Sequence, residues 1–279
     1  MGMKSSNSGL AIHCGNVTSL LTDFITQENR KAGFSRVVLG LSGGIDSAVA
    51  AHLAALALGA GNVLCALLPF RTSGKDSLDD ARRVVRKLGV ESVTVDISPM
   101  VDSYFAGFPD AEPLRRGNKM ARERMSILYD LSAAREGLVL GTSNKTEILL
   151  GYGTIHGDLA SAINPLGDLY KTQVRQLALH LGVPASIRNK PPSADLWPDQ
   201  SDEEEMGLSY EEVDRILYRL VDRRRSRKAL LEEGFPVELV DRIRERIRSS
   251  QFKRRTPLIA KLSMRTVGID FRYPRDWGR

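Results

Sequence analysis

The chain has 279 residues, 42% of them hydrophobic and 27% charged, with a formal net charge of +6. That balance fits a globular protein with a full core, and no apolar run approaches the ~20 residues that a bilayer span requires. With only Cys14 and Cys65 there is no disulfide framework and no zinc site of Cys-x-x-Cys spacing, and the opening MGMKSSNSGLAIHCG resembles neither a secretory nor a transit segment, so the cytoplasm is expected.

Helical spacing over residues 17–31 leads into a predicted strand at 36–41. A helix at 45–58, a strand at 62–68 with Cys65 as plain core, a helix at 77–88 and a strand at 92–96 follow. A helix at 118–134 and a strand at 138–141 complete the pattern. Such alternation predicts an α/β fold, an open, mostly parallel, Rossmann-like sheet with helices on both faces. A single domain over 1–279 is expected, its core sheet spanning about residues 36–190. Beyond Leu150 a glycine-rich loop, GYGTIHGDLASAINPLGD, precedes a helix at 170–181. The polar, proline-containing stretch 193–206 reads as a mobile lid. Three further helices are predicted near 209–221, 227–233 and 237–251. Their arginines alternate with acids and lack interleaved aromatics, which favours ion-paired helix faces over nucleic-acid binding.

Open α/β sheets bind ligands at the carboxyl ends of their strands. The first such junction here is GLSGGIDS, Gly40 to Ser47. A glycine-rich turn opening a helix leaves backbone N–H groups unpaired at the positive end of the helix dipole, which suits phosphate. Ser42 and Ser47 can add hydroxyl donors, and Gly43 and Gly44 admit close approach. Asp46 would repel a phosphate unless a cation such as Mg²⁺ lay between them. The alternative is that Ser42 caps the helix and Asp46 complements its dipole. The stretch is neither a Walker A loop nor G-x-G-x-x-G.

Ser-Gly-Gly-x-Asp-Ser between a strand and a helix resembles the signature of the PP-loop ATP pyrophosphatases. That likeness implies an adenine-nucleotide-alpha-hydrolase-like fold and cleavage of ATP between its α- and β-phosphates. GNKMARERM, GLVLGTSNKTEILLGYGTIHGD, NPLGDLYKTQVRQLA, NKPPSADLWPDQSDEEEMG and QFKRRTP then follow in the order of the ammonia-dependent NAD⁺ synthetases. The resemblance implies Mg²⁺-dependent amidation of deamido-NAD⁺ by ammonia and ATP, through NAD-adenylate, with release of AMP and pyrophosphate. It also implies a homodimer that works without nucleic acid or membrane.

Carried over by position, the resemblance implies ATP binding by Gly40, Leu41, Ser42, Gly43, Gly44, Ile45, Asp46 and Ser47, with Thr142, Lys171 and Ser193. Asp46 and Glu147 would hold Mg²⁺, and Asp46, Glu147 and Lys171 would form the catalytic set. Arg122, Asp158, Phe252 and Lys253 would contact deamido-NAD⁺, whereas Arg124 reads as an ordinary ion-pairing arginine. The chain departs from the family's commoner pattern at Ile155-His156, Ser193 and Phe252, where Lys-Tyr, Thr and His are frequent. The roughly thirty residues before the first strand are too few for the glutaminase domain of longer members, so free ammonia is the expected nitrogen source. The competing readings are another PP-loop adenylating ligase, GMP-synthetase-like or tRNA-modifying, and a non-enzymatic nucleotide-binding regulator.

Overall fold

The structure is a computed structural model that describes residues 9–191, 209–255 and 257–271. Four parallel strands, β1 (Arg36–Gly40), β2 (Val63–Leu67), β3 (Glu91–Thr94) and β4 (Gly137–Val139), form a sheet of order β3-β2-β1-β4. Val38 pairs with both Leu64 and Val139, so β1 lies centrally. Its residues alternate between two cores. Val37, Leu39, Cys65 and Leu67 enter one, while Val38, Leu64, Ala66 and Val139 enter the other. Burial on both faces explains why these strands read as unbroken apolar runs. Cys65 is core as expected, and burial pushes its thiol pKa up to about 12, which leaves it inert at neutral pH.

The first core is built on α2 (Ile45–Leu58), buried from Ile45 through Ala54 except at Asp46. Its alanines let the helix lie close to the sheet, and α1 (Cys14–Ala32), α3 (Lys75–Leu88) and α7 (Lys171–His180) pack against it. The opposite face is covered by α4 (Ser98–Phe105) and α5 (Pro113–Ala134). The pattern left α4 unpredicted, since Pro99 disguises a short helix even though proline suits a first turn. Helix α5 starts earlier than predicted, at Pro113, for the same reason.

Short helices α6 (Lys145–Leu150) and α8 (Ala185–Arg188) flank α7 in sequence. Helices α9 (Tyr210–Leu217), α10 (Arg227–Glu232) and α11 (Val237–Ser249) share a third apolar cluster with Leu150 and Tyr170. The helix predicted at 209–221 becomes a π-helical turn over Tyr218–Asp222. Several of the late arginines are ion-paired as expected: Arg227 grips both oxygens of Asp241 at 2.7 Å, and Arg219 meets Glu233 at 2.5 Å. No helix among the described residues is long and apolar enough to cross a membrane.

Arg254 joins two helix ends. Its guanidinium donates to the carbonyls of Ile148 and Leu149 at 3.0 and 2.8 Å and to Ile247, satisfying the last turns of α6 and α11. Arg254→Met is expected to cost about 2–3 kcal/mol in urea unfolding, because it orphans carbonyls that had a charged donor. A loss within error of zero would show that water replaces the guanidinium.

Candidate active site

The β1–α2 joint exposes its backbone rather than its side chains. Leu41 and Ile45 are core residues, and Gly40 ends β1, so these three offer main chain only. Helix α2 has Gly44 as its N-cap, in extended conformation, and no side chain caps it. Ser42 is therefore not the helix cap. Its Oγ accepts from Gly44 N at 3.2 Å and lies 3.1 Å from the Ser47 hydroxyl, which accepts from Ser42 N and donates to Gly44 O. The uncapped first turn of α2 is thus left facing the sheet edge, the arrangement that binds anions.

Beside it, three charged side chains from separate elements meet. Lys171, at the start of α7 and 3% exposed, places Nζ 2.5 Å from Asp46 Oδ2 and 3.2 Å from Glu147 Oε1. These side chains meet although 125 positions separate Lys171 from Asp46. Glu147 does not face bulk water. Burial pushes its pKa up, against the pull of the Lys171 ammonium, and Asp46 pushes it the same way as burial.

Asn144, which the sequence reading missed, organises the pair. Its Nδ2 donates to Asp46 Oδ1 at 2.9 Å, and its Oδ1 accepts from Glu147 N at 3.0 Å. Glu147 Oε2 in return accepts from Asn144 N at 3.2 Å, closing a capping box on α6. Asn-x-x-Glu before a helix was the available signal.

Two carboxylates against one buried ammonium make a site that accepts positive charge. The described residues contain no cluster of three or more His, Cys, Asp or Glu able to hold a metal. Two oxygen donors nonetheless suit Mg²⁺, which fills its shell with water and phosphate oxygens and is usually held by one or two carboxylates. Asp46 and Glu147 fit that requirement.

Of the residues expected to meet the dinucleotide, Arg122 from α5 and Lys253 from the turn Gln251–Arg254 both bond to the loop that carries Asp158. Arg122 Nε donates to Ile155 O at 3.1 Å, and Asp158 Oδ1 accepts from Thr154 N at 2.8 Å. Lys253 Nζ donates to the Gly151 and Gly153 carbonyls at 2.8 and 2.7 Å. Phe252 is 60% exposed beside it. Arg124, expected as an ion-pairing arginine, donates its Nε to Leu68 O at 2.9 Å, just past the end of β2. Thr142 follows β4 at the same sheet edge. Ser193 and the lid predicted over 193–206 lie outside the described residues.

A protein-family model described as NAD synthase matches residues 17–257. The NH(3)-dependent NAD(+) synthetase of Chlorobaculum parvum is 56% identical over 96% of this chain and 97% of its own length. Among solved structures, the NMN synthetase from Francisella tularensis superposes with a TM-score of 0.81 at 32% identity, covering 90% of this chain and 99% of that one. The NH3-dependent NAD synthetase from Campylobacter jejuni does so with a TM-score of 0.78 at 36% identity, covering 90% and 100%.

Proposed function

Because the chain belongs to the NAD synthase family of carbon–nitrogen ligases, we propose that it amidates deamido-NAD⁺ with ammonia at the expense of ATP. The observation that carries the reading is the meeting of Asp46, Glu147 and Lys171 beside the uncapped start of α2.

The backbone amides of residues 43–47, with the Ser42 and Ser47 hydroxyls, hold the β- and γ-phosphates. The nicotinate carboxylate attacks the α-phosphorus, the bond to the β-phosphate oxygen breaks, and pyrophosphate stays on the amides that held it. Lys171 is placed to meet the negative charge that gathers on the α-phosphate oxygens during attack. Asp46 and Glu147 would hold Mg²⁺, which when bound would supply further charge neutralisation at the phosphates. Ammonia then attacks the acyl carbon of the mixed anhydride, AMP leaves, and the attacking nitrogen releases its extra proton. The chain needs no nucleophile of its own, only groups held in position. Thr142 and Ser193 complete the ATP side, and Arg122, Asp158, Phe252 and Lys253 the dinucleotide side. The whole chain acts as one unit, with the helices of residues 209–251 flanking the sheet. Family resemblance supports a cytoplasmic homodimer that engages neither nucleic acid nor membrane, and light scattering after size-exclusion chromatography tests the dimer.

The likeness to an NMN synthetase favours a second reading in which the mononucleotide is amidated. Both are tested by offering ATP, Mg²⁺ and ammonium with either deamido-NAD⁺ or nicotinate mononucleotide and identifying products by mass. NAD⁺ and AMP in equal amounts are expected, with glutamine failing to replace ammonium. NMN as the preferred product would move the assignment to the second reading. ADP formation, or no amide from either substrate, would overturn both.

A further inference from the structure

We infer that helix α9 belongs to the catalytic apparatus, with Asp214 as a positioning residue that fixes Lys171 and Glu147 relative to one another. The inference rests on the ligase reading above.

A lysine at the first position of a helix is opposed by the helix dipole, yet Lys171 stands there, buried, at the start of α7. Asp214, 0% exposed, supplies what that helix end lacks. One of its oxygens accepts from Thr172 N at 2.8 Å, and the other accepts from the Thr146 hydroxyl at 2.5 Å. Thr146 Oγ1 in turn accepts from Lys171 N at 3.0 Å. One carboxylate therefore ties the backbone of α7 at Lys171 and Thr172 to α6 one residue before Glu147. Tyr210, also on α9 and 1% exposed, sets its ring 5.1 Å from the Lys171 ammonium.

Among the described residues Asp214 has no ion-pair partner, and burying a carboxylate without a counter-cation is costly. A neutral side chain would serve a helix cap alone. Its negative charge is spent on the end of α7 that carries the lysine, so the gain is a lysine held against its own helix dipole and in register with Glu147.

Such a role separates kcat from KM. Lys171 acts on charge that develops during attack, whereas deamido-NAD⁺ is gripped elsewhere, so a displaced lysine lowers kcat and spares KM for the dinucleotide. Thr146→Val and Asp214→Asn are each expected to reduce kcat about 10- to 100-fold with that KM within about twofold, the scale of a displacement near 1 Å. Thr146→Ser should restore most of the rate, and the double variant should fall no further than the worse single one, since both cut the same connection. Wild-type kcat in both single variants with only a lower melting temperature, or Thr146→Ser as slow as Thr146→Val, would overturn the proposal. If Asp214→Asn does not fold, the two Thr146 variants still decide it. A wild-type chain that makes no amide sinks the ligase reading instead.

Discussion

Lys171→Met is expected to lower kcat about 10²- to 10³-fold, the range seen when one donor to a developing oxyanion is removed. Methionine matches the length of the aliphatic stem and fills the space beside Tyr210, so folding should survive. What disappears is the charge that Asp46 and Glu147 share at 2.5 and 3.2 Å. Without it two carboxylates face each other at a buried site, and one of them must take up a proton or swing away. Affinity for deamido-NAD⁺ should change little, because Arg122, Asp158 and Lys253 bond to the loop of residues 151–158 rather than to the Asp46 and Glu147 carboxylates. The measurement is AMP release at saturating substrates. A kcat within about fivefold of wild type would remove Lys171 from the mechanism.

Gly43→Ala should be nearly as damaging, for a reason of shape alone. Gly43 has φ +84°, a conformation that side chains resist, and an added Cβ would stand 2.0 Å from the Ser77 carbonyl oxygen and 2.8 Å from its carbon. Those atoms belong to the first turn of α3 and cannot step aside. Either the joint or α3 must shift, and the backbone amides proposed to hold the pyrophosphate shift with it. A loss of about 10²-fold in kcat/KM for ATP is expected, together with strain of about 1–3 kcal/mol in unfolding. Gly44→Ala is the control. Gly44 has φ −84°, and its nearest neighbour would be the rotatable Ser42 Oγ at 3.3 Å, so the effect should be much milder. Equal damage from both would mean that flexibility of the joint, rather than close contact with α3, is what the sequence protects.

The sheet was legible because each strand is short and bounded by turn residues, and β1 and β2 are buried on both faces, so local composition carries the information. The β1–α2 joint was legible because its chemistry lies in consecutive residues 42–47. Asp46, Glu147 and Lys171 are another matter. No spacing rule joins them; only motif order, matched to a family, predicted that they would meet. Asn144 had a local signature in its capping box with Glu147. Asp214 had none, since it looks like any acid on an amphipathic helix, and its importance comes from Thr146, 68 residues earlier in the chain. Contacts formed by packing one layer on another leave little trace in a local window, which is also why the bonds from Arg122 and Lys253 to the loop of residues 151–155 could not be read from their separate motifs.

The amide of Asn144 spans from the Asp46 carboxylate on one side to the backbone that carries Glu147 on the other. One planar group, with no rotatable bond between its two ends, thus works as a fixed gauge. The distance from the Asp46 carboxylate to the first turn of α6 is preset by the width of a carboxamide before any ligand arrives.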